Sequence, residues 1–212
     1  MNGAAGAWND ETPGGSEASG YAHSKGVIGL IWASGAGEDR GALRGGAPDA
    51  TVIAGFYLLH SVPRFPDLSG SAYAGFPDDE TIYGQSMLCV SLDGSALDAL
   101  GKPLSLNRPL VYNDTLSGGL YASALPNLAA AASGKHSKDP VCQEFSIQTV
   151  NGAPLHVFGK TAAWDNDLWD ACVAPKIGVP LAVESGIRGE DLGPCCSGQQ
   201  PGKKQTQGQG TN

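Results

Sequence analysis

The triplet His23-Ser24-Lys25 leads into an apolar run, Gly26–Trp32. On an extended backbone, residues two apart project to the same side, so an imidazole and an ammonium stand together, about 6–7 Å apart along the chain. That pair suits phosphoryl transfer: the histidine attacks phosphorus or protonates a leaving oxygen, while the lysine neutralises a non-bridging oxygen. Alone, the pattern is also common on exposed strand ends. The same triplet recurs as His136-Ser137-Lys138, after Gly134 and before Asp139-Pro140. That setting predicts a solvated polar loop without a catalytic role.

Three further residues bear on the same chemistry. His60 ends a second apolar run, where it is either a hydrogen-bonded core histidine or a group orienting the His23 site from behind. Gln85 can donate to a phosphate, or satisfy backbone near Gly84. Asn113 can do the same, or act as the glycosylation acceptor of Asn113-Asp114-Thr115. His156, beside a turn, reads as a cross-strand residue.

The elements that must position these groups alternate strand and helix signals. Gly26–Trp32 and Val52–Leu59 are apolar runs joined by a Gly-, Asp- and Arg-rich link, which predicts a long-looped antiparallel pair. Ser86–Leu92 is another strand. Asp93–Leu100 carries a capping Asp and helical spacing, with an end expected near Gly101. Ala122–Ser133 predicts a helix stopped by Gly134. Glu144–Val150 and Leu155–Phe158 flank Asn151-Gly152, a strong hairpin signal. Asn166–Val173 has helical spacing and Pro180–Glu184 reads as a last strand. The fold class is α/β (mixed α+β), a mixed and largely antiparallel sheet flanked by helices, over residues 21–196. Residues 1–20 and 197–212 are expected to be a disordered lead-in and a disordered tail.

The chain has 212 residues, 41% of them hydrophobic, enough for one core-forming domain. Its 31 Gly and 14 Pro favour strands joined by many turns. No apolar run is long enough to cross a bilayer. Met1–Gly20 lacks the basic start and apolar stretch of a signal peptide. A formal net charge of -8 and a pI near 4.8 disfavour nonspecific polyanion binding at neutral pH. Towards the pI, carboxylates protonate and histidines as a class become cationic, which weakens that repulsion. Five Cys, with Cys195 and Cys196 adjacent, match neither zinc nor redox spacing. The odd count and the sequon agree with a secretory compartment.

In chain order, AHSKGV (22–27), YLLHSVPRFP (57–66), YGQSMLCVSL (83–92) and LVYND (110–114) resemble the sequence blocks of the deoxyribonuclease II family, of the phospholipase D superfamily. Phe158-Gly159-Lys160, Asp165–Trp169 and Val179–Glu184 resemble its weaker downstream blocks. The resemblance implies a phospholipase D-like half and a metal-independent acid endonuclease without cofactors, acting on DNA. Such an enzyme leaves 3′-phosphate and 5′-hydroxyl ends through a phosphohistidine. It also implies a lysosomal or secreted protein.

The resembling family builds its site from two His-x-Lys elements, and by position His23 and Lys25 match the first. The second would follow the region ending at Cys195, where the chain runs into SGQQPGKKQTQGQGTN. The expectation is therefore an amino-terminal-half fragment, inactive until a carboxyl-terminal half or a homodimer partner supplies the second element, or else a non-catalytic remnant. Cys89 matches a half-cystine whose partner lies in a segment absent here, which implies an unpaired, buried thiol.

Overall fold

The computed structural model describes residues 2–15, 17–33, 51–68 and 75–182. Five strands form the main sheet: β1 (Asn2–Trp8), β2 (Gly26–Ala33), β3 (Thr51–His60), β4 (Met87–Leu92) and β5 (Val111–Asp114). Their order is β4-β3-β2-β1-β5, with every pairing antiparallel. The two long apolar runs pair with each other, Gly26 opposite Leu59. The mixed α+β class with a largely antiparallel sheet is what forms.

The expectation of a disordered lead-in over 1–20 is overturned. β1 runs between β2 and β5, with Ala4, Ala7 and Trp8 buried. Its sequence, NGAAGAW, contains no β-branched residue, so composition hid it. The small residues have a steric reason. A Cβ on Gly6 would lie 2.6 Å from Leu116, which packs against the strand. The tail 197–212 lies outside the described residues.

Helix α1 (Gly94–Asn107) begins as expected: Asp93 accepts the Ala96 backbone N–H at 2.8 Å, a bond that holds its carboxyl below the usual range. It does not stop at Gly101. A Cβ there would lie 2.2 Å from the Asn127 backbone, so Gly101 is the point where α1 meets α3 (Pro126–Ala132) backbone to backbone. Asp98 of α1 caps α3 from across that contact, accepting the backbone N–H groups of Asn127 and Leu128 at 2.8 and 3.2 Å. The single helix expected over Ala122–Ser133 is two, α2 (Gly119–Ala124) and α3, because Pro126 cannot continue a helix and starts a new one.

One sheet face packs on these helices through Trp8, Ile28, Leu30, Leu92, Leu97, Leu100 and Leu128, which form the core. A hairpin, β6 (Cys142–Gln148) and β7 (Pro154–Lys160), packs on α1. Its turn holds Gly152 at φ 79°, where a glycine is favoured. The helical spacing over Asn166–Val173 becomes one π turn, Trp169–Val173, continued by α4 (Ala174–Ile177). Cys142 and Cys172 are joined by a disulfide, a pairing sequence spacing had not singled out. Among the described residues Cys89 is a free thiol, but exposed rather than buried: it lies on the sheet face away from α1, in register with Leu58. The described residues up to Pro180 belong to one compact unit; beyond it only Leu181 and Ala182 are described. The strand expected over Pro180–Glu184 falls partly outside the described residues.

Candidate active site

The end of β1 organises the site. Trp8, Asn9 and Asp10 follow one another there, and each holds a different part of it. Buried Trp8 stacks on Tyr57 and donates its indole N–H to the Ser24 hydroxyl at 3.2 Å, which fixes the middle of the His23-Ser24-Lys25 triplet. Asn9, fully buried, donates its amide to the carbonyls of Val62 and Phe65 at 3.0 and 3.1 Å, which ties down the HSVPRFP segment. Asp10 takes both ends of the triplet. Its Oδ1 accepts from the Lys25 ammonium, and its Oδ2 lies 2.5 Å from His23 Nδ1.

The regular strand starts only at Gly26, so the two-residue geometry expected for His23 and Lys25 comes from Asp10 rather than from strand pleating. Their surroundings differ sharply: the Lys25 side chain is 4% exposed and that of His23 81% exposed. Nδ1 of His23 is turned to the carboxylate, although Oδ2 has no partner of good hydrogen-bond geometry among the described residues.

His60 sits across the ladder from this pair. Its backbone N–H points to the Lys25 carbonyl at 3.4 Å. Its ring is buried edge-on against Phe65, and neither nitrogen has a partner of good hydrogen-bond geometry. Burial first, and then the Lys25 charge, push its pKa down to about 4, against a weaker opposing contribution from Val62 backbone. Gln85 lies further along the same segment. It accepts from Ser61 Oγ at 2.6 Å and donates to Glu80 at 3.3 Å, so it braces the loop after His60. Asn113 stands on the edge strand β5 opposite Ala7, and the sequon's Thr115 is hydrogen-bonded to the Ala5 backbone.

Asp10 was missed from sequence because it fell in the stretch read as disordered. A signal was present: Trp8-Asn9-Asp10 repeats the aromatic-Asn-Asp of Tyr112-Asn113-Asp114, and both close neighbouring strands of one sheet. Asp10, Glu17 and His23 also bring one potential ligand atom each within 4.8 Å of one another. The Lys25 ammonium on the same Asp10 carboxylate opposes a cation at that point. His23 and Ser24 open onto a cleft of about 640 Å³. Its opposite walls include the loop His136-Ser137-Lys138, which is a loop as expected.

The family model for deoxyribonuclease II matches residues 2–207. Among curated relatives, the deoxyribonuclease-2-alpha of Rattus norvegicus is 35% identical over 131 residues, 61% of this chain and 37% of the relative. That of Mus musculus is 31% identical over 181 residues, 84% and 45%, and that of Bos taurus 30% over 198 residues, 91% and 48%. The chain spans less than half the length of these relatives. With the family model matching nearly its whole length, the chain belongs to the deoxyribonuclease II family.

Proposed function

We propose that this chain carries one His-x-Lys half of a metal-independent acid DNA endonuclease. The observation that supports it best is the shared Asp10 carboxylate, which meets both His23 Nδ1 and the Lys25 ammonium beside the cleft that His23 lines. In the proposed reaction one histidine Nε2 attacks phosphorus and the P–O5′ bond breaks. A second histidine gives its proton to O5′, leaving a 5′-hydroxyl. Water then hydrolyses the phosphohistidine and releases a 3′-phosphate. Lys25 neutralises a non-bridging oxygen, with N–H groups to spare beyond the one on Asp10. His60 acts through Lys25 as a positioning residue.

His23 cannot be nucleophile and acid at once, so a second His-x-Lys element is required from a further segment of the protein or from a second copy of this chain. The sheet face away from α1 supports a partner half of either kind, since it leaves Ile31, Phe56 and Met87 exposed beside Cys89. Lysosomal or secreted placement, with a glycan on Asn113, belongs to the same proposal. No described helix is long and apolar enough to cross a membrane.

The test is end-group analysis of DNA cut by this chain together with a segment carrying the second element. The expected ends are 3′-phosphate and 5′-hydroxyl, with an acid-labile, alkali-stable phosphate trapped on histidine. Ends bearing 5′-phosphate contradict the mechanism.

A further inference from the structure

The cleft beside His23 has a charge pattern opposite to that of the chain. Asp and Glu outnumber Lys and Arg by 21 to 13 overall, yet no described residue lining the cleft is acidic. Three cations line it instead, Arg108, Lys138 and Lys160, each from a different part of the fold. At the His23 end, Asp10 and Glu17 each bring a carboxylate oxygen within 4.8 Å of a His23 ring nitrogen.

Two of these groups, Arg108 and Lys160, are held in place by neighbouring carbonyls and rings. Arg108 follows α1 at φ 55°, donates to the Gly20 carbonyl at 2.9 Å and lies over the Tyr21 ring at 4.8 Å. Lys160 ends β7, donates to the Asn166 carbonyl at 3.2 Å and stands 5.7 Å over the Trp164 ring. Lys138 is exposed and makes no ion pair with a described residue. His136 Nδ1 lies 3.1 Å from the Gly134 carbonyl, which can only accept, so Nδ1 carries a proton; Nε2 donates to a phosphate when the ring is the doubly protonated imidazolium. Tyr21 is 40% exposed and offers an aromatic face among the cations.

From this cluster we infer that the cleft binds a single strand of nucleic acid, with Arg108, Lys138, Lys160 and His136 on its phosphates and Tyr21 stacked on a base. Cations interleaved with an exposed aromatic ring are the physical requirements of such binding, and the volume takes a short run of one strand. The triplet His136-Ser137-Lys138 thereby acquires a role in holding substrate rather than in chemistry. The inference rests on the proposed phosphodiesterase reading and gives it a substrate path to His23.

The experiment is fluorescence anisotropy of a labelled single-stranded oligodeoxynucleotide with the full chain at pH 5, titrated with salt. The K138Q/K160Q variant is expected to bind about tenfold more weakly at low salt. The slope of log K against log salt should become shallower by about 1.4, or roughly 0.7 for each of two lost phosphate contacts. Tyr21→Ala should cost a further factor of about ten. Lys102→Gln, on exposed α1 surface outside the cleft, should bind as the parent does. Thermal melts of each variant separate lost contacts from lost fold. Parent-like affinity and slope in K138Q/K160Q overturn the inference, as does an equal loss in Lys102→Gln. Strand binding through the cleft without cleavage in any complemented form defeats the phosphodiesterase reading alone. Robust cleavage with cleft variants that bind and cut like the parent defeats this inference alone.

Discussion

Lys25 and Asp10, each with a 4% exposed side chain, meet as an ion pair where β1 ends and β2 begins. A buried pair of this kind adds little stability over an apolar one, but breaking it strands a charge. Asp10→Asn is therefore expected to destabilise the fold by about 3–5 kcal/mol, and Asp10→Asn with Lys25→Met to recover most of that loss. Urea unfolding of the two variants checks this. Equal stability of Asp10→Asn and the parent protein rules out the pair as drawn.

His60 sets an acid limit on stability. Its folded pKa, about 4, lies below the ordinary 6.5, so the unfolded chain takes up the proton first. The contribution of neutral His60 is complete above pH 6.5 and is lost as pH falls from there towards 4, to a total of about 3 kcal/mol. His60→Leu should flatten the fall in stability across that window. Unchanged pH dependence in the variant contradicts the assignment.

Asn9→Ala leaves the Val62 and Phe65 carbonyls without their donor in a buried setting. A loss of about 2–3 kcal/mol is expected. Hydrogen exchange should show the effect concentrated in residues 61–66 rather than spread through the sheet.

Gly101→Ala separates helix propensity from packing. Alanine favours a helix interior by about 1 kcal/mol, but here its Cβ meets the Asn127 backbone. Net destabilisation by about 1–3 kcal/mol is expected in thermal or urea melts. A stabilised variant shows that α1 and α3 are not in close contact there.

Elements with strong local signals were legible from sequence: the β2–β3 pair, β4, the Asp93 cap and the Asn151-Gly152 turn. Those that depend on tertiary contact were not. β1 is made of Gly and Ala and is a strand because β2 and β5 flank it. Gly101 looks like a helix stop and is instead a helix crossing. The site divides the same way. His23, Lys25 and His60 were visible as residue types, whereas Asp10, which joins two of them, is defined only by where β1 ends. Asp139-Pro140 and Gly134 marked His136–Lys138 as a loop, yet only folding shows that this loop and His23 line one cleft.

Relaxation of supercoiled plasmid at pH 5, with EDTA or with magnesium, tests the central claim most directly when mass is measured on the same chromatographic fraction. A verified monomer of this chain is predicted to cut no better than background under either condition. Adding the segment with the second His-x-Lys element, or isolating a dimer, is predicted to yield metal-independent cleavage that His23→Ala abolishes. Robust cleavage by the monomer, or cleavage that survives His23→Ala, contradicts the two-element account.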